Sequence, residues 1–431
     1  MSSPADPQRA VEERLIFWSL AGTWGLYAVG ALYIAGPVLG VALAAIYAVR
    51  AYAAPVLPAA HRPHLMPVSI VVWIGAMAVM LIALVIGHFL QDLGAAKTVK
   101  STIGWAKGWA LLAIFPLAGA CLLVRKETLF KANGWFALQT LILIPVFLAA
   151  PAIGLPEKVF VSPLKIVGGP GPEYFTLFLY TLDPESGAVR LQFTAPWAPA
   201  AGFVANVMLI LAMEDKRLFW RVVGVTAAIG IVMLCKSRMA LLCLMLAWPM
   251  AFFIGKLARG WPALLASAGT LFAGLFSAQI IDALTAFIDR VNGMRAGSNR
   301  VRQALNDMAF DRWWTEARIW GHGIVENGPH HVENMPIGSH HTWLGLLFVK
   351  GAVGFVALLL AMLWTTVELA LAAQVRREAR AGLAVMFVMW FFSFSENLES
   401  LAYLYWPGLV MMGIGLRAAA EEARAASGAQ G

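Results

Sequence analysis

This 431-residue chain is poor in charge. Only 13% of its residues are Asp, Glu, Lys or Arg, against 60% hydrophobic residues and a mean hydropathy of +0.73. A soluble protein with so large an apolar fraction would need a charged surface that this chain does not have. Nowhere does the sequence alternate residue by residue as the strands of an outer-membrane barrel do. Cysteine is scarcer still. The number and spacing of Cys121, Cys235 and Cys243 suit neither a disulfide framework nor a zinc knuckle, and they are expected to be small apolar packing residues. Met1 to Ala10 is polar with no short apolar core and cleavage site behind it, so the first apolar stretch is expected to be an uncleaved anchor. No soluble segment carries a basic stripe interleaved with base-stacking aromatics, which argues against nucleic acid as a partner.

What the chain does have is a succession of apolar runs that repeatedly exceed the roughly 20 residues needed to cross a bilayer. The expected fold is all-α and polytopic: one integral membrane domain, residues 1–431, with about twelve transmembrane helices. They are placed near 15–35, 37–54, 68–90, 104–124, 134–152, 196–213, 219–235, 239–255, 262–281, 341–367, 381–395 and 400–416. Alternate connections are basic. Arg9 with Arg14, Arg50 with Arg62, Arg125 with Lys126 and Lys131, Lys216 with Arg217 and Arg221, Lys256 with Arg259, Arg376 with Arg377 and Arg380, and Arg417 with Arg424 fall in short segments that the positive-inside rule assigns to the cytoplasm. Both termini then lie inside and the long 282–340 segment outside. Lys97, Lys100 and the Lys236/Arg238 pair break the rule. The net charge of +8 is largely explained by the basic flanks meeting anionic membrane lipids.

Two outer segments are long enough to fold by themselves. Residues 153–195 are rich in Pro and Gly, and Tyr174–Tyr180 and Val189–Phe193 read as extended runs around Asp183-Pro184-Glu185-Ser186-Gly187. That pattern predicts a hairpin whose aromatics pack on the helical domain. The second segment, 282–340, is the long polar interruption of the sequence and holds most of its chemistry. Five of the eight histidines lie between Ile281 and Leu347, together with six arginines. Ser298 or Asn299 can cap a helix through about Arg318, with Val301, Leu305, Met308 and Trp313 on one stripe. Arg300 falls in its first turn, where unpaired N–H groups already favour an anion, so its guanidinium is a natural phosphate clamp; pairing with Asp307 or Asp311 is the plainer alternative. Arg238, in the turn Lys236-Ser237-Arg238-Met239, is either a helix-end anchor in lipid headgroups or the second half of a diphosphate site.

Gly321-His322-Gly323 makes a flexible turn, and His340 and His341 open the tenth span. The spacing of the histidines matches no standard zinc pattern, and no metal or other cofactor is expected. A histidine at the membrane mouth, able to take a proton near neutral pH, suits general-base work.

These residues carry a resemblance. Ser237-Arg238 opening a span, Ser298-Asn299-Arg300 at a helix start, Gly321-His322-Gly323 after a tryptophan-containing helix, and His340 to Leu344 followed by Gly351-Ala352-Val353-Gly354 resemble, in that order, the bacterial O-antigen ligase and polymerase superfamily. The likeness is greatest to the ligases and covers about residues 235–360. His341 departs from the family, which usually has Asn directly after its histidine. Val349-Lys350 departs as well, standing where an acid tends to precede the Gly-x-x-Gly.

The resemblance implies a glycosyltransferase of the bacterial inner membrane with its active site facing the periplasm. The implied donor is a polysaccharide linked through diphosphate to undecaprenol, and the implied acceptor is a sugar hydroxyl of lipid A-core. Arg238 and Arg300 would hold the diphosphate, and His340 would remove the acceptor proton in a single inverting displacement. His341 and His322 would support it, Lys236 and Arg302 would add positive charge for substrate binding, and Glu396 would position the acceptor. A monomer is expected. The nearest rival is a polymerase that joins O-antigen repeats from the same donor. The rival of another class is a transporter of lipid-linked sugar, which calls for repeated halves and ionisable groups near the midplane that the sequence does not display.

Overall fold

The computed structural model describes residues 10–428 except 184–186, 280, 283–284, 286–295 and 333. The polar start from Met1 to Arg9, and Arg290 and Arg295 in the 282–340 segment, lie outside the described residues. Where side chains are apolar and water is absent, each peptide group must bond within its own segment, so the apolar runs become helices. These are α1 (Val11–Ala21), α2 (Thr23–Ala28), α3 (Leu32–Ala53), α4 (Val68–Leu90), α5 (Ala95–Lys107), α6 (Leu111–Cys121), α7 (Lys126–Ala149), α8 (Ala198–Glu214), α9 (Leu218–Cys235), α10 (Arg238–Ile254), α11 (Trp261–Leu275), α12 (Ala296–Glu316), α13 (Thr342–Ala372), α14 (Arg377–Ser393) and α15 (Leu398–Gly428).

Among the described residues, six stretches are long and apolar enough to cross a membrane: α3, α4, α5 with α6, α7, α9 and α13. The protein is a helical membrane protein. Helices α8, α10 and α11 are apolar but shorter, at 15 to 17 residues. The first expected span, 15–35, is not one helix. It is divided at Gly22, where Thr23 Oγ1 bonds back to the Leu20 carbonyl at 2.7 Å and competes with the helical ladder. The fourth is divided at Gly108, whose backbone leaves the helix (φ −124°, ψ −84°) and against which the Glu399 side chain packs where a β-carbon would stand.

Helix α15 runs through the middle of the bundle, with Leu409, Val410 and Met412 fully buried. It crosses α6 with almost no side chain between them, since a β-carbon on Gly119 or on Gly413 would collide with the Val410 or Pro116 carbonyl oxygen. Farther along, Phe203 of α8 lies between Phe392 of α14 and Tyr405 of α15, with ring centroids 4.5 and 4.4 Å away and planes within 13°. Stacked pairs of this kind contribute about 0.5–1.5 kcal/mol each beyond their burial.

The segment 153–195 forms two small antiparallel pairs. Strand β1 (Lys158–Val161) pairs with β2 (Thr176–Phe178), and β3 (Thr181–Leu182) pairs with β4 (Val189–Arg190), the Gly187 amide donating to the Asp183 carbonyl at 2.8 Å. The Tyr174–Tyr180 run thus takes its partner from upstream, and the downstream pairing is made by Thr181–Leu182. Tyr27 fixes it there: its hydroxyl donates to the Phe178 carbonyl at 3.1 Å and accepts from the Phe178 amide at 2.9 Å. The aromatics of the segment pack on the bundle, Tyr174 and Phe175 standing edge-on to Tyr33 of α3.

Candidate functional site

Helix α12 is set against the bundle by its own apolar face. Leu305 and Ala309 are buried with Val332, Ile337 and Phe348 in a small second core, and Val301, Ala304 and Met308 pack around it. Trp313, expected on that stripe, is half-buried, and its indole N–H reaches past the end of the helix to donate to the Arg318 carbonyl at 2.7 Å. Arg302 lies three and seven residues before Leu305 and Ala309 and therefore shares their face. Arg300 is exposed and sits about 200° around the helix from Arg302. The helix already runs from Ala296, so Arg300 is not in its first turn, and the helix-terminus argument for an anion there does not hold. The Ser298 and Asn299 side chains lie outside the described part.

Arg302 is instead the cation whose field reaches both His340 and Glu396. His340 is mostly enclosed just before α13. Burial first, and Arg302 second, push its imidazole down to about 4, so the ring is neutral at ordinary pH. Glu396, in the link from α14 to α15, is 1% exposed. Burial raises its carboxyl to about 7, against the opposing pull of Arg302, the Trp197 indole and Arg190. The ordinary order of a histidine and a carboxylate is reversed here, with the carboxyl titrating near neutrality.

Three hydrogen bonds fix Glu396. Trp197, at the start of α8, donates its indole N–H to Oε2 at 2.8 Å. Thr342 at the start of α13 donates to the Glu396 carbonyl oxygen at 2.7 Å, and the Glu396 amide donates to the Phe392 carbonyl at 2.8 Å. Arg190 approaches from β4, donating to Asp183 at 3.5 Å and to the Cys235 carbonyl at 3.4 Å. The Cys235 contact brings the end of α9, and the Lys236–Arg238 turn after it, to the same end of the bundle. In that turn Lys236 is exposed and left-handed (φ 52°) and terminates α9, while Ser237 Oγ caps α10 by accepting from the Ala240 amide at 3.3 Å. Arg238 is the first residue of α10 and half-buried.

The other histidines hold structure. His341 caps α13, its Nδ1 accepting from the Leu344 amide at 3.4 Å, with the ring edge-on to Phe394. His322 is buried and held at both nitrogens, by the Phe348 carbonyl at 3.0 Å and Glu316 Oε2 at 2.8 Å, and lies flat on the Phe348 ring. Its segment repairs a break in α13. Gly351 has φ 63°, which interrupts the helical ladder, and the loop from Arg318 to Gly323 runs alongside to satisfy the freed groups. His322 and Gly323 amides donate to Phe348 and Val349 carbonyls at 2.8 and 2.9 Å. Arg318 and Ile319 carbonyls accept from Ala352 and Val353 at 2.9 and 3.2 Å.

Among the described residues no three His, Cys, Asp or Glu side chains gather as a metal would need. Comparison of the chain with protein-family models and with curated proteins finds no match. Of the residues singled out in the sequence, His340 and Glu396 both lie within reach of the Arg302 charge. Arg300, His322 and His341 do not join them in any contact the structure shows. Arg190 and Trp197 were not anticipated. Arg190, one of few cations in the 153–195 segment, could have been noticed by its sign; Trp197 has no local signal.

Proposed function

We propose that the protein is a glycosyltransferase of the bacterial inner membrane, of O-antigen ligase type. In this reading about twelve spans cross the bilayer, both termini are cytoplasmic, and the His340 site faces the periplasm. The enzyme moves polysaccharide from undecaprenyl diphosphate to a sugar hydroxyl of lipid A-core. The observation that carries the proposal is that the charge of Arg302 acts on both His340 and Glu396, three residues from separate elements at one end of a bundle of membrane-crossing helices, with the charge of Arg190 also reaching Glu396. Ordered cations at the end of such a bundle suit a lipid-linked diphosphate, and a neutral imidazole beside them suits deprotonation of a hydroxyl.

Arg302 and Arg190 hold the diphosphate and stabilise its charge as it leaves, a task that requires no metal; Arg238, the first residue of α10, supports them. His340 takes the acceptor proton as the hydroxyl oxygen attacks the anomeric carbon and the sugar–phosphate bond breaks with inversion. A bound diphosphate offsets the Arg302 charge and raises the proton affinity of His340 at the moment it is used. Glu396, titrating near neutrality and held by Trp197 and Thr342, orients the acceptor and is the second group able to take a proton.

The test is transfer in vitro. Purified protein in nanodiscs receives undecaprenyl-diphosphate-linked polysaccharide and rough lipopolysaccharide, with chelator present, as wild type and as His340→Ala. Polysaccharide on the core that survives chelation and disappears in the variant is the expected result. Donor repeats that only lengthen would make the protein the polymerase, and movement of donor across the bilayer without a new glycosidic bond would make it a transporter.

A further inference from the structure

Away from the His340 site, a cleft of about 610 Å³ is lined by Arg125, Lys126, Lys131, Lys216, Arg217 and Arg377. It lies at the opposite end of the bundle. Helix α9 begins beside it and ends at Arg190, and α14 begins at Arg377 and ends next to Glu396. Its carboxylates are largely committed to fixing cations in place. Asp215 takes Arg217 through both oxygens at 3.1 and 2.7 Å, and Glu378 takes Lys126. Glu214 stands 3.7 Å from Arg377, whose side chain remains 57% exposed, and Lys216 is exposed at the rim. With Glu127 the lining carries four acids against six bases, leaving a surplus of positive charge in a concave space that no catalytic step uses.

The surface beside the cleft identifies its occupant. Leu218, Phe219 and Val222, on the first turns of α9, are 70, 62 and 53% exposed, and the Trp135 and Trp220 rings meet 5.5 Å apart at the adjoining face of α7 and α9. Bare apolar helix next to paired tryptophans is where acyl chains and the headgroup boundary meet. A soluble phosphate would have no use for it. We infer that this cleft is a specific site for an anionic phospholipid, its phosphate seated among Lys216, Arg217 and Arg377 and its acyl chains lying along Leu218, Phe219 and Val222. The inference relies on the membrane-crossing helices and is independent of the transferase reading.

Native mass spectrometry of the full-length protein, with cardiolipin, phosphatidylglycerol or phosphatidylcholine added, tests it on wild type and on Lys216→Gln/Arg377→Gln. Wild type should retain the two anionic lipids over phosphatidylcholine. Each removed cation should weaken them about fivefold, roughly 25-fold for the pair, with phosphatidylcholine unaffected. The charge-preserving Lys216→Arg/Arg377→Lys protein should bind as wild type does, which separates loss of charge from loss of fold. Should the doubly neutral variant fail to fold, the wild-type preference must still fall with rising salt. Equal retention of all three lipids, wild-type affinity in the folded neutral variant, or displacement by millimolar sodium diphosphate would overturn the proposal, the last by making the cleft a site for soluble phosphate.

Discussion

Thr342 and Glu396 are locked together through the backbone. The Thr342 hydroxyl donates to the Glu396 carbonyl oxygen at 2.7 Å and accepts from the Leu398 amide at 3.0 Å, so one side chain joins the start of α13 to the link between α14 and α15. His340 is two residues upstream of that hydroxyl, and its position relative to Glu396 is set by this clasp. Thr342→Val keeps the shape and removes both bonds, leaving a buried carbonyl and a buried amide unpaired at about 1–3 kcal/mol each. The expected result is a lower melting temperature and a loss of transfer larger than the loss of folded protein, with Thr342→Ser restoring both. Thermal melts and initial rates on the same preparations check it.

Arg302 and Arg300 separate the inner from the outer face of α12. Arg302→Ala removes a cation from beside the leaving diphosphate and should lower kcat about 10²–10³-fold. Arg300→Ala alters an exposed side chain on the far face and should stay within about twofold of wild type. A large loss in the Arg300 variant with little in the Arg302 variant would return the clamp to Arg300. The Arg302 variant also raises the proton affinity of both His340 and Glu396, because the guanidinium disfavours a charged imidazole and favours a charged carboxylate. The acid limb of its pH–rate profile should therefore move to higher pH.

The pair also gives opposed pH dependences of stability. Glu396 is raised from the ordinary 4.5 to about 7, so the folded protein holds a proton that the unfolded chain releases, and this contribution declines as pH rises across that window. His340 is lowered from 6.5 to about 4, so the unfolded chain binds the extra proton, and its contribution is lost as pH falls from 6.5 towards 4. In wild type the two slopes oppose one another. Glu396→Gln should unmask a melting temperature that climbs with pH between about 4 and 6.5, and His340→Asn one that falls between about 4.5 and 7. Parallel slopes in the two variants would mean that one of these groups titrates normally.

The helices were legible where one physical demand acts alone. Val68–Leu90 is apolar from end to end, and α4 has those same limits. Legibility failed where a distant residue intervenes, as at Gly108, where the helix breaks and Glu399 packs closely, or at Gly351, whose break is satisfied by a loop some thirty residues upstream. The site divides in the same way. His340 and Glu396 stand out by chemistry at the ends of apolar runs. The choice between Arg300 and Arg302 depends on helical phase, and that was available in Leu305 and Ala309. Trp197 reaches Glu396 across 199 residues and leaves no periodic trace.

His340 and His341 adjoin in sequence but have different work, and substitution can tell them apart. His341 spends its Nδ1 as a helix cap, so what it supplies is an acceptor at the N-terminus of α13. Asparagine supplies the same, and His341→Asn should retain stability to within a few tenths of a kcal/mol and most of its transfer activity. His341→Ala should lose about 1 kcal/mol and slow transfer only as far as the start of α13 frays. His340 makes no cap, and its neutral ring stands beside Arg302. His340→Asn should keep the fold and remove the proton acceptor, with a fall in kcat of about 10²–10⁴-fold and little change in donor binding. Donor affinity from lipid-linked substrate titration, set against single-turnover rates, separates the two histidines. If His341→Asn loses turnover while His340→Asn retains it, the base is His341 and the cap is incidental.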